Sequence, residues 1–297
     1  MRVSEQLRTG PLVSILTPSF NQARWLGDNL RSVASQTYPH VEHIVMDGGS
    51  TDGSVGLLQE AEDSVAWRSE PDEGQSDALN KAFAASSGEI IGWVNSDDAY
   101  FDSDVVRDVV AYFEKHPDAD VVYGHAAYVN ADGLVLNAMW VPARVDMLIG
   151  IHCYIVQPAL FLRRGVVEGS LVDVARQFSM DWDLWLRLRD RGARFARLDR
   201  ILAVDRLQAD RKSVSALHLS ATDVAIMKDV YGLKLQAWWR APFMRGFHVF
   251  SRIAGLRLLP AAVRPNVFGG RVDGLGRLLL RQIATRRSRM PAEGRPE

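Results

Sequence analysis

The sequence predicts an α/β protein built on a mostly parallel sheet with helices on both faces. Throughout the first half of the chain, short apolar runs alternate with segments whose apolar residues recur at helical spacing. The connections between them are short, which favours strands of one sheet joined by crossover helices. A composition of 47% hydrophobic and 24% charged residues is that of an ordinary globular protein.

The predicted strands are apolar runs that end in polar or turn residues. In the first half they cover Leu12–Thr17, His43–Asp47, Val65–Glu70, Ile90–Val94 and Val121–Gly124. Helices are expected between them, near residues 25–34, 54–63, 78–83 and 105–113. In the second half, residues 159–164 and 193–207 predict strands, 181–192 a helix that ends at a glycine, and 215–231 a further helix.

The last part of the chain has a different character. Between Trp238 and Glu297 there are twelve arginines and three acidic residues, in a chain whose formal net charge is -1. We therefore predict an α/β domain over residues 11–215 and a helical, arginine-rich extension over residues 216–297. Its aromatic residues suit either contact of residues 238–290 with an anionic membrane surface or a helical cap packed on the domain. The near-neutral total charge predicts no nucleic-acid partner.

Cysteine usage and hydropathy predict a cytoplasmic chain, with the inner face of the membrane as its place if the extension binds lipid. Cys153 is the single cysteine, so no disulfide can form within the chain. The first residues lack the pattern of a signal peptide. No apolar stretch reaches the roughly 18–20 residues that span a bilayer.

Polar sequences follow three of the predicted strands. They are TPSFNQ (Thr17–Gln22), DGGSTDG (Asp47–Gly53) and NSDD (Asn95–Asp98). In open parallel sheets, ligands bind beyond the carboxyl ends of the strands. These three sequences therefore form the candidate site.

Two adjacent carboxylates in NSDD repel each other, and a divalent cation would offset the repulsion. Oxygen ligands suit Mg²⁺ or Mn²⁺, which use one or two carboxylates together with substrate phosphates. The alternative is the N-terminal cap of a helix, where aspartate is favoured. No G-x-G-x-x-G follows the first strand and the chain contains no G-x-x-x-x-G-K-[ST], which counts against a dinucleotide site and a P-loop.

The ordered set of motifs resembles the family 2 glycosyltransferases, which belong to the nucleotide-diphospho-sugar transferases of GT-A fold. The resemblance runs from Val13 to Arg206, through VSILTPSFNQARWLGDNLRSVASQTYPHVEHIVMDGGSTDGS, SEPDEGQSDALNKAFAASSGEIIGWVNSDDAYF, DADVVYG and MDWDLWLRLRDRGARF. It implies transfer of a sugar, typically a hexosyl group, from a nucleotide-diphosphate donor to an acceptor hydroxyl, with inversion and with Mn²⁺ or Mg²⁺. The implied setting is bacterial surface polysaccharide or glycolipid synthesis, with a saccharide or lipid-linked saccharide as acceptor.

The resemblance also assigns roles to individual residues. It implies that Thr17, Pro18 and Phe20 line the base pocket and that Asp47 contacts the base or ribose. Further donor-binding residues are implied along the chain, namely Asp72, Gly74, Asn80, Ser96 and Asp97. The implied metal carboxylates are Asp97 and its neighbour Asp98. Asp181 matches the catalytic base, for which the alternative is a helix cap, and nearby Trp182 and Trp185 suit either sugar stacking or the core.

Several positions depart from the family pattern. Gly48 and Asn95 replace acidic residues, Met180 replaces a frequent glutamate and Gln208 replaces a frequent histidine. Asparagine can still ligate a metal through its carbonyl, whereas a metal ligand at Gln208 is in doubt. Two other functions therefore stay open: a nucleotidyltransferase, and a GT-A scaffold that has lost turnover.

Overall fold

The computed structural model describes residues 10–143, 149–150, 152–176, 178–208, 217–233 and 240–259. These residues form nine strands: β1 Val13–Ser19, β2 Val41–Asp47, β3 Ala66–Ser69, β4 Ile90–Trp93, β5 Ala99–Tyr100, β6 Val121–Asn130, β7 Val135–Met139, β8 Leu160–Arg163 and β9 Phe195–Leu207. The α-helices are α1 Ala23–Ala34, α2 Ser54–Glu60, α3 Gln75–Ala85, α4 Val105–Lys115, α5 Met180–Asp190, α6 Leu217–Tyr231 and α7 Arg240–Leu258. The prediction of an α/β fold is confirmed.

All nine strands belong to one sheet, in the order β3-β2-β1-β4-β8-β6-β9-β5, with β7 paired to β6. The pairs among β1, β2, β3 and β4 are parallel, as is the pair of β6 with β9. Strand β8 runs antiparallel to both of its neighbours, β4 and β6. Strand β5 pairs antiparallel with β9, and β7 pairs antiparallel with β6. The prediction of a mostly parallel sheet is therefore right for the first four strands, while the whole sheet is mixed. Antiparallel strands need no crossover helix, so the second half adds strands without the βα alternation that the sequence pattern can detect.

Helices cover both faces of the sheet, as predicted. Successive side chains of a strand point to opposite faces. In β2, Ile44 packs into the main core with Leu79 of α3, whereas Val45 packs into a smaller core with Leu26 of α1 and Leu58 of α2. The same strand is thus covered on each side, which explains its three consecutive apolar residues, Ile44, Val45 and Met46.

Helices α6 and α7 pack on the rest of the described structure. Helix α7 lies on β7, where a Cβ at Gly255 would overlap the Ala138 carbonyl and the buried Ser251 donates to the Trp140 carbonyl. Among the described residues, no helix has the length and apolar character to cross a bilayer. The predicted boundary at residue 215 and residues 260–297 lie outside the described part of the chain, so the division into two regions stays a prediction.

The strand register brings the candidate site together. Ser19 at the end of β1 pairs with Asp47 at the end of β2, and Asp47 pairs with Ser69 at the end of β3. On the other side of β1, Leu16 pairs with Trp93, so that Asn95 to Asp98 emerge beside the end of β1. The polar sequences after β1, β2 and β4 therefore meet at one edge of the sheet.

Candidate active site

A cavity of about 600 Å³ opens where β1, β2 and β4 end. Seven of the predicted site residues line it: Pro18, Phe20, Asp72, Gly74, Ser96, Asp97 and Asp98. Asp205 and Arg206 of β9 and the following Gln208 complete the wall. Of these three, the sequence analysis discussed only Gln208, as a doubtful metal ligand. The cavity thus gathers residues from distant parts of the chain at the edge where α/β sheets bind ligands.

Three other residues that were predicted to contact the nucleotide, Thr17, Asp47 and Asn80, do not line this cavity. Thr17 donates to the Val94 carbonyl at 2.9 Å and lies 3.0 Å from the Nε2 of buried His43. Asn80 exchanges two hydrogen bonds with the backbone of Val172, at 2.9 and 3.0 Å. None of the three, Thr17, Asn80 or Asp47, is in the cavity lining, so their direct contact with a nucleotide stays a prediction.

Asp47 shapes the turn that follows β2. Its Oδ2 accepts the backbone N–H groups of Gly49 and Ser50, at 3.1 and 2.8 Å, and the Ser69 hydroxyl at 2.7 Å. The carboxylate is buried and these donors balance its charge. The turn needs glycine at position 49, whose φ of 81° lies in the left-handed region.

Gly48 leaves room for a second carboxylate. A Cβ at this position would lie 2.8 Å from Oδ2 of Asp72, which lines the cavity. Gly74 donates its N–H to the other Asp72 oxygen at 2.8 Å. The family pattern has an acidic residue at position 48. In this chain, the Asp72 carboxylate occupies the space that a side chain at position 48 would need.

The two acids of NSDD have different surroundings. Asp97 is partly exposed, lines the cavity and accepts a hydrogen bond from Gln208 Nε2 at 3.0 Å. Asp98 is buried and accepts the backbone N–H of Arg206 at 2.9 Å. The helix-cap alternative for NSDD is wrong, because strand β5 follows at residue 99 and α4 begins only at Val105.

Arg206 compensates the negative charge around NSDD. Its side chain is 2% exposed, and it donates to the Asp97 carbonyl at 2.9 Å and the Asp28 carboxylate at 3.0 Å. A buried guanidinium of this kind is stable only when it is paired and hydrogen-bonded. The partners of Arg206 lie as far as 178 residues away in sequence, which is why no local pattern indicated this role.

The side chain of Asn95 lines the first cavity and also a second cavity described below. Its Oδ1 accepts Trp93 Nε1 at 2.8 Å and Gln75 Nε2 at 2.9 Å, and its Nδ2 donates to Gln157 Oε1 at 3.0 Å. An amide oxygen has two lone pairs, so both are already used. The suggestion that Asn95 ligates a metal through its carbonyl is therefore not supported by its contacts.

A second cavity of about 550 Å³ adjoins the first and contains Asp181. The two cavities share Gln75, Asn95, Asp98 and Asp205. Asp181 is the second residue of α5, behind the N-cap residue Ser179, so it lies in the first turn rather than at the cap. Aromatic side chains form much of this cavity's wall, including Trp93, Tyr128, Tyr154, Phe178 and Trp182.

Asp181 lies close enough to the buried thiol of Cys153 to affect its pKa. Burial raises the pKa of Cys153, and the negative charge of Asp181 raises this pKa further. Trp182 lines the same cavity and donates to the Ile149 carbonyl at 2.7 Å. Trp185 is 1% exposed and belongs to the core, so the stacking alternative is wrong for this residue.

Three buried oxygens around the first cavity have no hydrogen-bond partner among the described residues: Ser19 Oγ, Gln22 Oε1 and Gln208 Oε1. Buried polar atoms normally find partners, so oxygens of this kind at a cavity indicate a polar ligand or ion. Ser19 and Gln22 fall within TPSFNQ, one of the three polar sequences of the candidate site, but neither was predicted to bind a ligand.

The donor set fits a divalent cation that shares its coordination with a bound ligand. Asp97 offers a carboxylate and Gln208 an oxygen, both at the cavity wall. Within the described residues, no three His, Cys, Asp or Glu side chains converge as a metal site. Mg²⁺ commonly takes one or two carboxylates plus substrate phosphates, which agrees with this sparse set. Asp98 is less suited than predicted, because its Oδ1 is held by Arg206, and its role as a ligand stays a prediction.

Comparisons with known proteins agree with this geometry. Residues 14–155 match the family described as Glycosyl transferase family 2. An uncharacterized glycosyltransferase of Mycobacterium tuberculosis (strain CDC 1551 / Oshkosh) is 41% identical over 106 residues, which are 35% of this chain and 40% of that protein. The match thus spans less than half the length of that relative.

A second relative matches over a longer region. A PGL/p-HBAD biosynthesis glycosyltransferase of Mycobacterium bovis (strain BCG / Pasteur 1173P2) is 28% identical over 184 residues, 60% of this chain and 69% of that protein. Among solved structures, mannosyltransferase PcManGT from Pyrobaculum calidifontis, in complex with GDP-Man and Mn²⁺, superposes with a TM-score of 0.57. That match has 16% sequence identity and covers 96% of this chain and 83% of PcManGT.

The structural likeness shows a GT-A fold. The motif order, the matched residues 14–155 and the relatives agree with one another. Over residues 14–155, this chain matches glycosyl transferase family 2, and the relatives that it resembles are named glycosyltransferases.

Proposed function

We propose that this protein is a metal-dependent, inverting glycosyltransferase, with the donor in the first cavity and the acceptor in the second. The observation that carries the proposal is the pair of adjoining cavities, one with Asp97 and the other with Asp181 on its wall. A transfer reaction needs two substrates side by side, and the shared wall of Gln75, Asn95, Asp98 and Asp205 supplies this arrangement.

The donor is a nucleotide-diphospho-sugar. Pro18 and Phe20 offer apolar surface for a base, while Ser19, Gln22 and Asp72 provide polar groups beside it. Asp47, Thr17 and Asn80 support the walls from behind. The bound GDP-Man of PcManGT supports a donor of this class.

Asp97, with Gln208 beside it, would hold the metal together with the diphosphate. A divalent cation there stabilises the negative charge that develops on the departing nucleoside diphosphate. Among the described residues that line the first cavity, the cation is Arg206, which is paired with Asp28, so a metal there would add positive charge. The Mn²⁺ bound to PcManGT supports this assignment.

Asp181 acts as the general base. The acceptor oxygen attacks the anomeric carbon, its proton passes to an Asp181 carboxylate oxygen, and the bond to the diphosphate oxygen breaks with its electron pair on the leaving group. A single displacement inverts the anomeric centre, because base and leaving group lie on opposite faces of the sugar. The location of Asp181 in the cavity next to that of Asp97 supports this geometry.

The acceptor is a sugar carried on a lipid or other apolar group, in a glycolipid or surface-polysaccharide pathway. The aromatic lining of the second cavity suits stacking against sugar rings and apolar groups. The relative named for PGL/p-HBAD biosynthesis supports this acceptor class.

Helix α7 would bring the enzyme to a membrane surface. It exposes Phe243, Val249, Phe250 and Ile253, and its sequence has four arginines and no acidic residue. Apolar side chains among positive charges bind interfaces rich in anionic lipid. We expect co-sedimentation with phosphatidylglycerol vesicles and none with phosphatidylcholine vesicles, and equal binding to both would contradict this part of the proposal.

Calorimetric titration tests the function directly. UDP, dTDP and GDP are each titrated with and without Mn²⁺ into the wild type and Asp97→Ala. We expect one nucleotide to bind tightly only with metal, and this binding to be lost in the variant. Failure of all three to bind would refute the transferase proposal and favour the inactive scaffold.

A further inference from the structure

Helix α6 holds the start of helix α5 from outside. Asp223 Oδ2 accepts the backbone N–H groups of Phe178 and Ser179, at 2.8 and 3.0 Å, and the Ser179 hydroxyl at 3.3 Å. Asp223 and Ser179 are both buried. Three donors thus converge on one carboxylate oxygen at a helix N-terminus, where negative charge is also favoured by the helix dipole.

The contact replaces an ordinary helix cap. Ser179 is the N-cap residue of α5 but makes no side-chain cap hydrogen bond. A serine in this position normally accepts an N–H from the first turn, whereas here its hydroxyl donates to Asp223. The acceptor for this helix end therefore comes from another helix, 44 residues further along the chain.

A second contact joins the same two helices. The Tyr231 hydroxyl donates to Asp183 Oδ1 at 2.8 Å. Burial raises the pKa of Tyr231 well above its ordinary value, and the hydrogen bond to Asp183 raises this pKa further, so the hydroxyl keeps its proton. Arg176 and Arg187 lie 3.8 Å from the Asp183 carboxylate and balance its charge. Helix α6 thus contacts α5 on both sides of Asp181.

We propose that helix α6 positions Asp181 for proton transfer, with Asp223 as the principal positioning residue. The inference rests on the proposed role of Asp181 as the base. Asp181 lies between residues 179 and 183, which α6 holds, and its side chain lines the second cavity. A misplacement of about 1 Å at a reacting group can cost about 100-fold in rate, so the contacts of Asp223 are expected to matter for turnover.

Donor binding should not depend on α6. None of the described residues of α6 lines the first cavity, which is formed by the ends of β1, β2, β4 and β9 and by the segment from Pro71 to Ala78. Loss of the Asp223 contact is therefore expected to lower kcat and leave nucleotide affinity unchanged. A substitution that loosened the whole fold would lower both.

The test compares Asp223→Asn with Asp229→Asn, the same chemical change at an exposed residue of the same helix. Nucleoside diphosphate release from UDP-glucose, UDP-GlcNAc and GDP-mannose, with water as acceptor, gives kcat, and calorimetry gives the nucleotide Kd. We expect Asp223→Asn to lower kcat about tenfold or more with Kd within about twofold, and Asp229→Asn to change neither. An unchanged kcat, or a parallel loss of kcat and affinity, would overturn the proposal.

Tyr231→Phe provides a milder variant should Asp223→Asn fail to fold. It removes one hydrogen bond to Asp183, and we expect kcat to fall about two- to fivefold with an unchanged Kd. Asp181→Asn, measured in parallel, separates the two proposals. If it turns over like the wild type, the role of Asp181 and its positioning both fail. If it is inactive while Asp223→Asn and Tyr231→Phe keep full kcat, positioning by α6 alone fails.

Discussion

The Asp98 carboxylate accepts the backbone N–H of Arg206, with 2.9 Å between Oδ1 and N, and so ties the loop after β4 to strand β9. The preceding acid, Asp97, instead lines the cavity. The repulsion between two adjacent acids is offset by their separation into different environments and by the buried Arg206 guanidinium, which donates to the Asp97 carbonyl. One acid is therefore structural and the other is available to a ligand.

Adjacent substitutions should separate these two roles. We expect Asp98→Asn to lower the free energy of unfolding by about 1–3 kcal/mol, because a buried charge-assisted hydrogen bond is weakened. Asp97→Asn should change the free energy of unfolding by less than about 0.5 kcal/mol but abolish metal-dependent nucleotide binding. Urea denaturation and calorimetry measure the two effects. The reverse assignment, with Asp97→Asn unstable and Asp98→Asn unable to bind, would contradict the account.

The buried Arg206 forms an ion pair with Asp28, whose side chain is 23% exposed. We expect Arg206→Met to cost about 1–3 kcal/mol in the free energy of unfolding, since the Asp97 carbonyl loses its donor and Asp28 is left with Arg31 as its ion-pair partner. The double variant Arg206→Met with Asp28→Asn should be less destabilised than the sum of the single variants. Urea denaturation of all four proteins gives the coupling energy. If the losses of the two single variants simply add up in the double variant, the 3.0 Å contact between Arg206 and Asp28 contributes no coupling energy.

A side chain at position 48 should displace the Asp72 carboxylate and weaken nucleotide binding. Gly48→Ala places a Cβ 2.8 Å from Asp72 Oδ2, so the carboxylate has to move. We expect nucleotide affinity to fall about tenfold, and the same substitution to have little effect in an Asp72→Ala background. Calorimetry on the wild type, both single variants and the double variant measures this. An equal loss in both backgrounds would show that the turn, and not Asp72, is disturbed.

Restoration of the acidic family residue at position 95 should not improve metal binding. Asn95→Asp removes the donor to Gln157 and adds a negative charge near Asp98, while the carbonyl position stays occupied by Trp93 and Gln75. We expect a loss of about 1–3 kcal/mol in the free energy of unfolding and no gain in the Mn²⁺ dependence of nucleotide binding. Thermal denaturation and calorimetry check both parts. Tighter Mn²⁺-dependent binding at unchanged stability would refute this prediction.

Stability should fall in mild acid because of His43. Burial lowers the pKa of His43 from 6.5 to about 3, so between these values the unfolded chain binds a proton that the folded chain does not. Stability is therefore present above pH 6.5 and is lost toward pH 3, at about 1.4 kcal/mol per pH unit for one such group. The variant His43→Gln keeps a donor for Thr17 but has no imidazole to protonate. Between pH 6.5 and about 5, its free energy of unfolding should fall by about 1.5 kcal/mol less than that of the wild type. Urea denaturation at both pH values measures the difference, and equal losses would contradict it.

The sequence predicted those parts of the fold and site that depend on local patterns. The first four strands, their helices and the polar residues at the strand ends follow from apolar periodicity and turn chemistry. Pro18, Phe20, Asp72 and Asp97 were identified through motif order and do share one cavity. The two-residue strand β5 was missed because it is short and pairs with the distant strand β9. The strand β7, which pairs with the preceding strand β6, was also missed, since its sequence VLNAM has only one β-branched residue.

The missing parts of the site depend on distant partners. Arg206 meets Asp98 across 108 residues, and Asp223 meets Ser179 across 44 residues, with ordinary side chains at each end. A single sequence contains no periodicity that would pair them. The split between Asp97 and Asp98 was also hidden, since it depends on which carboxylate the fold buries.

Nucleotide binding and turnover are expected to depend on different cavities, and one paired measurement tests this most directly. Asp97→Asn and Asp181→Asn are compared for calorimetric nucleotide binding with Mn²⁺ and for nucleoside diphosphate release from the donor with the same base. We predict that Asp97→Asn loses nucleotide binding, whereas Asp181→Asn binds like the wild type and loses at least about 100-fold in kcat. An Asp181→Asn enzyme that binds and turns over like the wild type would contradict the account.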